Sequence, residues 1–312
     1  MGYTLLEAEK LNRINGEGDD LREAIIEIYT GSSDILLNLP FDNIQGNALK
    51  YNREGNYPGI GFRGVNESYT PSTGILNPQT ESLVIAGGEL DVDKYIIDTM
   101  GEQQRSVQEA MKIRALSAAW TKKFIKGDML TDPRELDGLQ ARITGNQKIQ
   151  AGTTANGTAL SLEKLDEAID QTLNPTHLIM NKAMRRHLTV AARKTSVGGQ
   201  IDYVVNDFGK KVTTYDGLPI LLVDLDHEGN EILGFNEAAT SGTATATSIY
   251  IVSFGDGMLT GIQNGGINAR DLGELQASPK FRTRVEWYNG LAVFNGRAAT
   301  RLWSIADAAV TA

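Results

Sequence analysis

The 312-residue chain contains no cysteine, which excludes disulfides, thiol catalysis and cysteine-based zinc sites together. Histidine is nearly as scarce, and the three present, His177, His187 and His227, share no metal-ligand spacing. No run of about 18 apolar residues occurs, so no transmembrane helix and no membrane partner are expected. The first 20 residues lack a basic segment leading into an apolar one, so no secretory signal is read there. Leu6 stands where the myristoylation pattern asks for serine or threonine. The setting reads as cytosolic, with stability drawn from packing or assembly. Positive charge is also short, with 30 Lys and Arg against 39 Asp and Glu, a net −9. That excludes general adhesion to nucleic acid over the whole surface. It leaves open a protein that surrounds nucleic acid without sticking to it.

What is present describes a globular chain of one to three domains, 41% hydrophobic and 22% charged. Its 33 glycines point to many turns and extended segments. Residues 91–126 dominate the rest. They contain no proline and one glycine, Gly101, with Asp91, Asp93 and Asp98 at the start and Lys122, Lys123 and Lys126 at the end. That charge order suits a helix dipole, and Gly127 offers a stop. At 100° per residue, Ile96, Met100, Val107, Met111 and Ala118 form one apolar face. Ile113, Leu116, Trp120 and Phe124 form a second, so the segment reads as a spine helix wrapped from two sides. The competing reading is an ordinary core helix, or two helices broken near Gly101.

Residues 1–40 read as an acidic arm, with a helix capped by Asp19 or Asp20 and an apolar run, Ile35 to Leu39, that needs a surface to dock on. A neighbouring subunit is one such surface. From 41 to 90 helical periodicity vanishes, and nearly 50 residues of low apolar density are too long for an ordinary connection. Residues 48–53 and 82–85 read as strands of a two-stranded extension, which needs support from another subunit. After the spine, a polar stretch leads into an α/β rhythm. Ser161 opens one helix, residues 177–180 form a buried strand and Asn181 caps the next helix. Residues 220–223 and 248–254 read as further strands. In the tail, Phe281, Thr283, Val285 and Trp287 alternate with Lys280, Arg282, Arg284 and Glu286, Asn289-Gly290 reads as a hairpin turn, and 298–305 as a last strand.

Chemical motifs fail on context. Gly59-Ile-Gly61-Phe-Arg-Gly64 matches the dinucleotide pattern, but no strand precedes it and no helix follows. Asp224, Asp226 and Glu228 begin like a calcium loop, yet Phe235 occupies the position of the bidentate glutamate, so an acidic turn is expected. No nucleophile elbow, phosphate loop or zinc-protease motif occurs. No catalytic residue, cofactor or metal site is expected, and the chain is read as non-enzymatic. Lys280, Arg282 and Arg284 make a modest basic stripe that suits an acidic arm of a neighbouring copy, phosphate or plain solvent.

The order of segments resembles the major capsid protein of tailed bacteriophages, the Hong Kong type shell fold shared with encapsulins. The telling stretches are residues 132–138 after the spine, 176–188, and 213–223, where a turn-Gly-x-Pro leads into a strand. The resemblance implies an α+β capsid shell fold in five parts: an N-terminal arm (1–40), an extended β-hairpin (41–90), a peripheral domain (91–144, spine 91–126), an axial α/β domain (145–254) and a return of peripheral strands (255–312). It implies self-assembly into hexamers and pentamers of an icosahedral phage head around double-stranded DNA, without sequence-specific contact. A portal and separate scaffolding or decoration proteins are the implied partners, and the location is the virion capsid, assembled in the host cytoplasm. Lys50, Arg53 and Arg63 on the extension, with Lys280, Arg282 and Arg284, are the expected inter-subunit contacts. Some relatives crosslink through a lysine on the extension, but no motif assigns that role to Lys50. The alternatives are an encapsulin-type compartment and a cytosolic α/β enzyme with its site around Asp224, Asp226 and His227.

Overall fold

The computed structural model describes residues 2–7, 10, 20–55, 57–101, 103–193, 201–205 and 211–311. Three sheets organise them. The first has the order β1-β12-β13-β4, where β1 is Phe41–Asn43, β4 Val84–Asp93, β12 Leu259–Glu274 and β13 Lys280–Val293. The second is mixed, with the order β5-β14-β11-β6-β9-β8-β7 and β10 (Glu237–Ala238) beside β11. Its strands are β5 Lys148–Gln150, β6 His177–Asn181, β7 Ile201–Val205, β8 Lys211–Tyr215, β9 Leu218–Val223, β11 Ala244–Val252 and β14 Ala299–Ile305. The third sheet is a hairpin, β2 (Ala48–Glu54) against β3 (Leu76–Ser82), antiparallel from Ala48↔Ser82 to Glu54↔Leu76.

The expected spine is two helices. Asp91 to Asp93 belong to β4, and the Asp93 side chain caps a short helix, α3 (Lys94–Met100), by accepting from the Tyr95 N–H at 2.9 Å. Gly101, at φ +88°, breaks the chain before α4 (Gln103–Lys126). A left-handed backbone at that point is cheap only for glycine, which is why the break falls there. The face of Ile113, Trp120 and Phe124 is buried, whereas Met100, Val107 and Met111 stand exposed. The helix is therefore covered along one face, not two.

That single face carries the chain's own arm. Helices α1 (Asp20–Gly31) and α2 (Asp34–Asn38) bury Ile25, Ile26, Tyr29, Ile35 and Leu36 in the same core as the spine. Ser117 donates to the Tyr29 carbonyl at 2.8 Å, and the Ser33 and Thr121 hydroxyls meet at 2.9 Å. The expectation that this apolar run docks on a neighbour is corrected: residues 20–40 complete the core of their own subunit. Asp19, the alternative cap, lies outside the described residues.

An aromatic cluster marks the junction. Trp120 stands 5.2 Å from Phe124 and 5.6 Å from Trp287, while Phe41 lies 5.1 Å from Trp287 and Tyr29 meets Trp287 edge-on at 5.6 Å. Offset and edge contacts of this kind add about 0.5–1.5 kcal/mol each beyond burial.

The second sheet is buried on both faces, which explains why its strands read as apolar runs without alternation. Leu178, Met180, Ile220, Ile249 and Ile251 face a core with α6 (Leu162–Gln171) and α7 (Lys182–Ala192). The alternate residues Ile179, Leu221, Val223, Tyr250 and Val252 join the core of the spine. Ser161 holds the N-cap position of α6, and the Asn181 Oδ1 accepts from the Met184 N–H at 2.7 Å at the start of α7.

Two expectations in the tail are corrected. Asn289-Gly290 makes no turn: β13 runs straight through it, paired with β12 and β4, and the chain reverses at 275–279. Gly290 is there because a Cβ would meet Ile262 and the Ser82 carbonyl at 3.1 Å. The return over 255–312 is also split, since β14 leaves the first sheet and pairs with β11 and β5 in the second.

Candidate assembly surfaces

The hairpin β2–β3 projects a loop whose character is unusual for a single chain. Every described residue from 55 through 78 is exposed. Ile60 and Val65 are each 91% exposed, Phe62 is fully so, and Tyr57, Tyr69, Ile75 and Leu76 are open as well. Apolar side chains gathered on a tip with no core of its own mark an interaction surface. The Gly59–Gly64 motif lies inside this loop, and Pro58 and the turn that starts at Val65 flank it directly.

The six expected contact residues separate into three groups. Lys50 is exposed on the hairpin stem, and Arg63 on the tip reaches the Glu67 carbonyl at 3.3 Å and stacks 5.3 Å over the Tyr69 ring. Arg53 instead turns to the body of its own subunit and donates to the Val293 carbonyl at 2.5 Å. Lys280, Arg282 and Arg284 lie on β13 opposite Asp93, Asp91 and Glu89 of β4. Arg282 binds Asp91 with two bonds of 2.6 and 2.7 Å and reaches Glu89 at 2.8 Å, and Arg284 also binds Glu89 at 2.8 Å. Arg282 holds the Asp91 carboxyl below its usual range. The acidic partners of the two arginines thus sit on the adjacent strand and not on an arm. Sequence reasoning missed them although Glu89-Leu-Asp91 alternates in register with Arg282-Thr-Arg284.

The acidic turn after β9 is structural. Asp226 is buried and accepts from the Glu228 and Asn230 N–H groups at 2.9 and 2.8 Å and from the Lys122 ammonium at 2.7 Å. The Lys122 bond, more than the two amides, drives its pKa down to about 2. A carboxylate so fully engaged anchors the turn to the spine and is no general base. Asp224 pairs with Lys182, and His227 is exposed. Among the described residues no group of three or more His, Asp or Glu is placed to hold a metal ion.

A slot of about 240 Å³ opens between the spine and the edge of the first sheet, lined by Leu116, Trp120, Leu136, Val285 and Trp287, with Lys123, Arg134 and Glu135 at the charged positions. Its lining is mainly apolar and offers no convergent set of catalytic groups.

No protein-family model matches the chain, and no curated protein does. Solved structures do. An encapsulin from Synechococcus elongatus superposes with a TM-score of 0.64 at 15% identity, covering 89% of each chain. The capsid of a native GTA particle gives 0.60 at 14% identity, over 88% of this chain and 91% of that one. A chain from Mycobacterium phage Adephagia gives 0.58 at 12% identity, over 90% of both. The chain has the Hong Kong type capsid shell fold. At these identities the likeness is one of fold.

Proposed function

We propose that the chain is a major capsid protein, a non-enzymatic subunit that assembles into the hexamers and pentamers of an icosahedral phage head enclosing double-stranded DNA. The observation that carries this reading is the hairpin tip, a set of exposed apolar side chains that makes sense only against another surface, on a body with a capsid shell fold. The first sheet with the spine corresponds to the peripheral domain and the second sheet to the axial domain, with β14 tying the two together. The extension lies across a neighbouring subunit, where Lys50 and Arg63 are placed to make polar contacts around the apolar tip. A portal and separate scaffolding or decoration proteins complete the particle, which is assembled in the host cytoplasm. With a net charge of −9, the subunit encloses DNA without gripping it over its whole surface.

A second reading, an encapsulin-type compartment, is favoured by the TM-score of 0.64 to the Synechococcus elongatus encapsulin. The contents decide between them. Particles isolated from the source are expected to hold nuclease-protected DNA. Shells holding a packaged protein and no DNA overturn the phage reading in favour of the compartment.

A further inference from the structure

The base of the hairpin is joined to the body by a polar cluster. Glu81, on β3, takes two bonds from the Arg142 guanidinium, at 2.5 and 2.8 Å, and both side chains are only 14% exposed. Arg142 belongs to the short helix α5 (Leu139–Arg142), and its Nε donates to the Asp137 carbonyl at 2.7 Å. Its planar fork is thus held on one side and presented to the hairpin on the other. Across the stem, the Tyr51 hydroxyl donates to the Val293 carbonyl at 2.9 Å, and Arg53 donates to the same carbonyl at 2.5 Å. The Tyr51 ring packs 4.7 Å from Phe294. Val293 ends β13, so the hairpin is tied at once to the first sheet and to the segment after the spine.

We infer that Glu81 and Arg142 are positioning residues that fix the direction of the extension in the free subunit, before any neighbour is met. A two-stranded ribbon joined only through its chain ends has no fixed direction of its own. A bidentate carboxylate–guanidinium pair adds what a single contact lacks, because its two parallel bonds specify orientation as well as distance. At 14% exposure the pair is largely shielded from solvent screening, and removing one member leaves the other charge largely buried without its partner. Tyr51 and Arg53 brace the partner strand on the same face of the stem, where the Tyr51 hydroxyl also lies 3.2 Å from Glu81, so both strands are held to the body. An extension already aimed does not lose that orientational freedom on binding, and association is favoured accordingly.

The inference rests on the shell reading for its consequence but not for its geometry, and the test separates the two. The chain has no cysteine, so Asn52→Cys on the stem with Asp170→Cys on helix α6 places two spin labels uniquely in the full-length protein. Pulsed dipolar spectroscopy of dispersed subunits is expected to give one narrow distance distribution. Glu81→Gln and Arg142→Met are each expected to broaden it, and the exchange Glu81→Arg with Arg142→Glu to narrow it again. Unchanged narrow distributions in both single variants overturn the inference, whether or not shells form. If Arg142→Met does not fold, Glu81→Gln and the exchanged pair still decide. Where the wild type assembles, Glu81→Gln is expected to slow assembly about tenfold, with recovery in the exchanged pair. A wild type that never assembles contradicts the proposed function and leaves the distance test standing.

Discussion

The indole N–H of Trp120 donates to the Asn289 side-chain oxygen at 3.0 Å, and both side chains are buried. This bond joins the C-terminal half of the spine helix to an inner strand of the first sheet. Asn289 in turn donates to the Trp287 carbonyl at 3.3 Å, and the Trp287 indole donates to Gln263 at 3.0 Å. The two tryptophans therefore have satisfied N–H groups inside an apolar core. Replacing Asn289 with Leu leaves the Trp120 N–H without an acceptor, a loss of about 1–3 kcal/mol. Urea unfolding is expected to show a lower midpoint with an unchanged slope.

Gly261 lies opposite Phe41 in the parallel pairing of β12 with β1, and a Cβ there would stand 2.3 Å from the Phe41 ring. Phe41 is the link between arm and aromatic cluster, so the ring cannot simply withdraw. Gly261→Val is expected to destabilise the subunit by about 1–3 kcal/mol, as overpacking does. Combining Phe41→Leu with Gly261→Ala is expected to cost less than the sum of the two single changes. Thermal unfolding of the four proteins provides the cycle.

Two groups give the subunit a predictable acid sensitivity. Burial lowers the pKa of His177 from 6.5 to about 4, so the unfolded chain takes up that proton first and stability falls as pH drops from about 6.5 to 4. Asp226 is lowered from 3.8 to about 2, chiefly by Lys122, so its contribution, present above pH 4, is lost as pH falls towards 2. His177→Gln is expected to flatten the stability profile in the upper window only, and Asp226→Asn in the lower window only. Stability profiles that keep both slopes contradict these assignments.

Changing Ile60, Phe62 and Val65 together to Ser touches only exposed side chains on the hairpin tip. Each such surface change normally moves stability by less than about 0.5 kcal/mol. The variant is expected to unfold near the wild-type temperature yet fail to assemble. Wild-type assembly by this variant removes the tip from the contact set.

The architecture was legible where local chemistry and tertiary packing agree. Alternation at Thr283, Val285 and Trp287, the Asn181 cap and the apolar strand at 177–180 appear as read, while the strand read at 248–254 runs from Ala244 to Val252. It was illegible where a local signal had been taken over by packing. Asn289-Gly290 has turn composition, but the asparagine is an acceptor for Trp120 and the glycine makes room for Ile262. The apolar face of Met100, Val107 and Met111 has helical periodicity without burial, because periodicity cannot say which of two faces meets the core. The arm's apolar run was legible as needing a surface, but a short segment cannot reveal whose core it completes. Of the candidate contacts, the extension was legible in its low apolar density and length, although its second strand is Leu76–Ser82 and not 82–85, whereas the pairing of Arg282 and Arg284 with Glu89 and Asp91 depends on a strand register between residues far apart in the chain, 191 positions for Arg282 and Asp91.

Electron microscopy of the purified full-length protein, over a range of concentration and ionic strength, tests the central claim most directly. Closed shells of uniform diameter built from hexamers and pentamers are expected. Dispersed monomers under every condition, including those in which the subunit is folded and concentrated, would contradict it.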